Sequence, residues 1–204
     1  MKKKNNKKQY INKSVNINEL KKEAQSAKRK KYTIICCYAT NSDKKLFLNY
    51  IFKSPEHIFE IWKCELKKDI TPPSLALVYP SISWDERETK ELFDIKFHKH
   101  PHDKPFVLHE GAKYNSPPML TSKPKLLNFT PTNFEYPEIK NKELQYVMFG
   151  PICSSVKESI EFDFFHAGET SAHTYQKLFF KHRGMEKRFE GKSIEHGAVI
   201  SQRV

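Results

Sequence analysis

No apolar run in this 204-residue chain exceeds the six residues from Ile34 to Ala39, far short of the roughly 20 that a membrane-spanning helix needs. The chain is therefore expected to be soluble. Its basic N-terminus runs into Asn, Lys and Gln rather than an apolar segment, so no secretory leader is expected either. Cysteine is sparse: Cys36, Cys37, Cys64 and Cys153 contain no CxxC spacing, which argues against a disulfide framework or a zinc signature and for reduced thiols in a cytoplasm. Glycine is sparse as well, and five of the six fall between 150 and 197. No phosphate-cradling loop or serine nucleophile elbow is present.

What is present suffices for a folded chain. The sequence is 38% hydrophobic and 13% aromatic, too apolar for a fully disordered protein. The net charge of +12 is unevenly spread: residues 1–31 hold twelve Lys or Arg against Glu19 and Glu23, and the rest carries only +2. A basic tail on a neutral body can attract RNA, DNA or an anionic membrane. The plainer expectation is a solvated, disordered tail over 1–31, with at most a frayed helix over Ile17–Lys30, and no nucleic-acid partner.

From Tyr32 the pattern changes. Tyr32 to Ala39 reads as a buried strand, Leu46 to Phe52 as a second, and Ile58 to Leu66 as a third strand or a short helix. Ser83 to Phe93 reads as a helix with Ser83 as N-cap, and Asp85, Glu86 and Glu88 as first-turn acids favoured by the helix dipole. Five of the twelve prolines lie between Pro117 and Pro137, which predicts a linker. Beyond it, Leu144 to Phe149, Ile160 to His166 and Ala172 to Phe180 read as strands, with Gly168-Glu169 as a turn and Phe162 and Phe164 on the face opposite Glu161 and Asp163. Met185 to Val204 is compatible with a helix, weakened by Gly191 and Gly197.

Two local clusters invite a chemical reading. His98, His100, His102 and His109 could approach metal-ligand spacing if extended, but Pro101 interrupts the alternation, and exposed loop histidines are expected. The segment from Lys181 to Lys187 gathers His182, Arg183 and Glu186 around Gly184, a strand-to-helix turn able to hold an anion or orient a carboxylate.

Tyr79-Pro80-Ser81-Ile82-Ser83-Trp84-Asp85-Glu86-Arg87-Glu88, then Glu91 to Phe97 and His100-Pro101, resemble the signature of the 30 kDa (C) subunit of respiratory complex I, roughly YPS-x-x-W-x-ERE-x-x-DLFGI-x-F-x-GHPD. Gly150-Pro151-Ile152-Cys153, Glu158, Phe162, Gly168-Glu169 and His182 to Lys187 are similar to the start of the 49 kDa (D) subunit-like domain. The same two modules form the front of the large subunit of membrane-bound [NiFe] hydrogenases of the formate-hydrogenlyase type (group 4). The chain departs at Asp94, where the signature has glycine. It departs again at His102-Asp103-Lys104-Pro105, and at Cys153, which replaces a histidine that quinone-reducing relatives use near the quinone headgroup.

The resemblance implies an α+β fold: a small mixed sheet with helices, and a truncated second part with an antiparallel β unit and a helix. The implied parts are a basic disordered tail at 1–31, the 30 kDa-like domain at 32–111, a Pro-rich linker at 112–143 and the hydrogenase-like segment at 144–204. It implies electron transfer coupled to hydrogen metabolism. The partners would be an iron–sulfur small subunit and a membrane arm, with the chain in the cytoplasm, peripheral on the inner face of the membrane. The alternative is a docking or assembly module of a complex I-like NADH dehydrogenase (ubiquinone) without catalysis of its own. Glu158 matches the hydrogenase proton gate and Glu186 a glutamate of the following turn. Trp84, Glu86, Arg87, Glu88, His100, Pro101, His182, Arg183 and Gly184 are signature residues. The sequence stops one residue before the first metal-ligand cysteine would come. That implies an inactive fragment with no cofactor of its own, the nickel–iron centre belonging to a full-length parent. A selenocysteine codon read as a stop, a frameshift and a genuinely short protein are the three open origins.

Overall fold

The computed structural model describes residues 10–43, 45–67, 70–109, 111–130, 143–152, 159–178, 180 and 182–202. They divide into two units: one spanning the chain to Phe106 with Ser116–Pro124, the other Val107–Asn115 with Lys125 onward.

In the first unit, β1 (Tyr10–Ser14) leads into α1 (Leu20–Arg29), followed by β2 (Thr33–Ser42), β3 (Lys45–Lys53) and β4 (Phe59–Leu66). Strands β2, β3 and β4 form an antiparallel meander, and β1 adds in parallel beside β4, with Tyr10 opposite Phe59. The expectation of a disordered tail over 1–31 is corrected here for its described part. Strand β1 is paired, and Val15, Ile17, Leu20, Ala24 and Ala27 are buried in the core. Three of them recur at i, i+4 and i+7 along α1, the helical period; because two are alanines, the apolar stripe is masked by the lysines around it. The segment Ile58–Leu66, left between strand and helix by the sequence, is a strand.

The core sits on one face of this sheet. Trp62 lies 4.2 Å from Phe52 between ring centroids, and Tyr79 meets Phe52 edge-on at 5.7 Å. A 3₁₀ turn at Pro80–Ile82 then delivers the chain into α2 (Ser83–Phe93). The helix has the expected span, but Ser83 is not its capping side chain: the N-cap position is Ile82, with no side-chain cap. The preceding 3₁₀ turn supplies the entry instead. Helix α2 ends at Asp94, whose φ of +56° and ψ of +36° put a non-glycine residue in the left-handed region.

In the second unit, β5 (Ala112–Tyr114) pairs antiparallel with β6 (Leu126–Phe129). Part of the expected linker is therefore structured, while 131–142 lie outside the described residues. Strands β7 (Gln145–Phe149), β8 (Glu161–Ala167) and β9 (Thr170–Lys177) form an antiparallel sheet in that order, with Gly168-Glu169 at the turn as expected. The alternation along β8 holds with an inversion. Glu161 and Asp163 are buried and Phe162 and Phe164 are half-buried, because Lys177 pairs with both carboxylates and the Tyr146 hydroxyl donates to Asp163. The C-terminal stretch forms two helices rather than one, α3 (Met185–Phe189) and α4 (Ile194–Ser201), parted where Gly191 takes a positive φ of +67°.

Candidate functional site

The residues around α2 converge on a buried carboxylate. Glu86, Thr89, Leu92 and Phe93 form the inward stripe of the helix. One Glu86 oxygen accepts from the Tyr50 hydroxyl at 3.0 Å and the Leu75 N–H at 2.8 Å, and the other accepts from the Ser74 hydroxyl at 2.5 Å. Burial pushes its carboxyl up from the ordinary range, and these hydrogen bonds pull it part of the way back. First-turn acids as dipole partners are thus corrected for Glu86, which instead fixes the loop after Pro72-Pro73 to strand β3. Asp85 also works away from its own helix: it accepts from the backbone N–H of Cys37 at 2.8 Å, tying α2 to β2.

His100 closes the same cluster from the other side. Its side chain is 2% exposed, so the expectation of a loop histidine is corrected. Nδ1 accepts from the His102 N–H at 3.1 Å, while Nε2 lies 3.2 Å from the Ser83 carbonyl. A carbonyl only accepts and an amide N–H only donates, so the ring is neutral with its proton on Nε2. Burial, the leading cause, holds its pKa below the ordinary value. Glu86 lies 3.7 Å from Nε2. A strand-like bridge of Pro73 with His98, in which Ser74 N–H donates to the His98 carbonyl at 3.0 Å, ties the loop after Pro72-Pro73 to the segment that leads into His100.

The outward face of α2 is built differently. The Arg87 guanidinium donates to the carbonyls of Lys104 at 2.8 Å and Pro105 at 2.6 Å. It also lies 5.3 Å from the Trp84 ring and 5.0 Å from the Phe106 ring, and those two rings pack at 4.7 Å. Glu91 accepts from the Phe106 N–H, and Lys90 pairs with Asp103 at 2.5 Å. The stretch 103–106, most of which belongs to the His102-Asp103-Lys104-Pro105 departure from the family pattern, is thereby strapped across the helix. Trp84 stays 50% exposed above it, Glu88 is half-buried and Pro101 is exposed.

The second motif is in the other unit. His182 and Glu186 pair at 3.3 Å across one turn, and this hydrogen bond lowers the Glu186 carboxyl. Gly184 takes φ +59° with open space around it, so the backbone conformation, not crowding, is what calls for glycine; Arg183 is exposed. At Gly150 both reasons apply: φ is +91° and a Cβ would lie 1.9 Å from the Ile160 carbonyl oxygen. Glu158 and Cys153 lie outside the described residues.

Among the described residues no three His, Cys, Asp or Glu side chains gather closely enough to hold a metal ion. Cys37 and Cys64 are buried, and burial pushes the Cys64 thiol up to about 12, the reverse of what a metal thiolate requires. The described residues do not fit a nickel–iron centre.

The family model for the respiratory-chain NADH dehydrogenase 30 kDa subunit matches residues 13–125, more than half of the chain. The chain belongs to the 30 kDa subunit family. That match starts within β1, consistent with the buried α1 and not with a free tail. Relatives include the fused C/D subunits of NADH-quinone oxidoreductase from Baumannia cicadellinicola and Serratia proteamaculans. The first is 24% identical over 68% of this chain and 27% of its own, the second 27% identical over 62% and 24%. The C subunit of the same oxidoreductase from a Wolbachia species is 29% identical over 54% of each chain. The chain thus spans about a quarter of the length of the C/D relatives it matches. Within the 30 kDa family frame, Glu86 and His100 are inward anchors, and Trp84 and Arg87 are surface residues. Sequence reasoning missed their partners Tyr50, Ser74 and Phe106, which no local motif marks.

Proposed function

We propose that this chain is a docking subunit of a complex I-like oxidoreductase, taking part in electron transfer by holding neighbouring subunits rather than by carrying a redox group. The observation that supports this is the half-exposed Trp84 on α2, braced by Arg87 and Phe106. A rigid aromatic side chain beside an arginine is the commonest kind of interface anchor. The buried Glu86 and His100 keep that platform in place. No described helix is long and apolar enough to cross a membrane. Peripheral attachment on the inner face, through partners, is part of the proposal.

The test is capture of the assembly from source cells that express Trp84→Ala or Arg87→Ala in the full chain. Loss of co-purifying subunits, with an unchanged unfolding midpoint of the isolated chain, supports docking. An intact assembly with both variants overturns it.

A narrower reading makes the parent a formate-hydrogenlyase-type [NiFe] hydrogenase, with an iron–sulfur small subunit and a membrane arm as partners, Glu158 as proton gate and Glu186 in the following turn. What favours it is Cys153 in place of the histidine that the resemblance assigns to the quinone headgroup. The relatives' shared name, NADH-quinone oxidoreductase, favours the other branch. Nickel counted per chain in the captured assembly, beside NADH-dependent reduction of a quinone analogue, separates the two. Nickel at parity supports the hydrogenase, and quinone reduction without nickel overturns it.

A further inference from the structure

Helix α1 buries Leu20, Ala24 and Ala27 and turns the rest of its side chains outward. Between Leu20 and Lys31 the chain has six cations and one acid. The acid, Glu23, is taken by Lys13 at 2.7 Å. The Lys28 ammonium donates to the Val78 carbonyl at 2.5 Å and lies 5.7 Å from the Tyr79 ring, contacts that hold it in place without an acid beside it. Lys22, Arg29, Lys30 and Lys31 are exposed.

Helix stability does not account for this pattern. Cations near the C-terminal end, and Glu19 and Glu23 at the other, favour the helix dipole, but Lys21 and Lys22 also stand in the first turn, where it disfavours them. Beside the basic face lies a shallow, open cleft lined by Gln25, Lys28, Arg29 and Val78. Leu77, next in the chain to Val78, is 58% exposed.

We propose that the outer face of α1 and its cleft form a docking surface for an acidic helix or strand of a partner polypeptide, whose apolar side chain would meet Leu77. Charge complementarity selects the partner, and the rigid backing of α1 makes the cations a fixed array rather than a diffuse tail. A bilayer is disfavoured because the apolar stripe of α1 is already spent in the core and cannot insert between headgroups. RNA is disfavoured at this cleft, whose lining offers no aromatic ring on which a base could stack, although Tyr32 and Trp62 line a depression on the Lys30 side of the helix. This surface is separate from the Trp84 platform, and the proposal stands or falls independently of it.

The test uses the full chain and three probes. The first is a labelled peptide of about 15 residues built from Glu, Ala and Leu as an acidic amphipathic helix. The second is phosphatidylcholine vesicles with about a third phosphatidylglycerol. The third is an oligouridylate of about 15 nucleotides. The peptide is expected to bind with an affinity that falls between roughly 50 and 300 mM salt. Combined Lys22→Glu, Arg29→Glu and Lys30→Glu is expected to weaken it about tenfold at an unchanged unfolding midpoint. Leu77→Ser should weaken the peptide but not plain polyglutamate, and Lys2→Glu, Lys3→Glu and Lys4→Glu should leave binding within about twofold. Tighter binding to vesicles or oligouridylate than to the peptide overturns the proposal. So does a lack of peptide binding, or a peptide affinity that the triple change in α1 leaves unaltered.

Discussion

Glu86→Ala takes the acceptor from three buried donors at once: the Tyr50 hydroxyl, the Ser74 hydroxyl and the Leu75 N–H. Each buried donor left unpaired costs about 1–3 kcal/mol, while removing the carboxylate recovers part of its own desolvation. The expected net loss is about 3–5 kcal/mol, a large share of the 5–15 kcal/mol typical of a domain. Glu86→Gln keeps an oxygen for Leu75 and Tyr50 and turns an amide toward Ser74, whose hydroxyl oxygen can accept from it. It should cost about 1 kcal/mol. Urea unfolding followed by tryptophan fluorescence reads both. Trp62, buried against Phe52, reports the core, and a Trp84→Phe background removes the exposed second signal. The reasoning is refuted if alanine costs less than about 1 kcal/mol, or if glutamine costs as much as alanine.

Three further outcomes are expected. Burial holds His100 below its ordinary 6.5, so its contribution to stability is fully present above that pH and is lost as pH falls through 6.5 toward the lower folded value. The raised Glu86 carboxyl runs the other way, its contribution being complete below 4.5 and lost as pH rises through its folded value. His100→Gln should therefore flatten the loss below pH 6.5 in urea midpoints measured over about pH 5 to 8; an unchanged slope would reject the assignment. Asp94→Gly relieves the left-handed backbone at φ +56° and should raise stability by about 0.5–1 kcal/mol, with no gain in midpoint counting against that strain. Leu20→Ala should cost about 2–5 kcal/mol because Leu20 is fully buried, whereas a solvated N-terminal tail would make the change silent.

The strands from Tyr32 to Leu66 and the helix from Ser83 to Phe93 were legible because their signals are local: apolar runs, turn residues and acids at a helix start. Glu86 was not legible as an anchor. Its three donors come from 11, 12 and 36 residues away, and the local rule for a first-turn acid gives a sufficient but different account of it. His100 was obscured by its neighbours, since His98 and His102 are exposed and only one of the three imidazoles turns inward. Helix α1 was legible as a helix within Ile17–Lys30, but its place in the core was hidden by composition, because alanines at 24 and 27 seal the core while lysines dominate the count. Asp94, where the signature has glycine, takes a left-handed backbone, the conformation in which glycine is favoured, so the motif's residue type has a conformational reason here. On β8 the pattern of faces was readable, but which face is buried depended on Lys177, a partner on the next strand.

The parallel pairing of β1 with β4 also sets an order of events during synthesis. Tyr10 leaves the ribosome long before Phe59, its partner in the register. At roughly 5–20 residues per second, β1 waits several seconds with both edges open. An unpaired strand in that interval is a template for any other nascent copy. Twelve Lys or Arg lie in the first 31 residues, and like charges of this density oppose the pairing of two such strands.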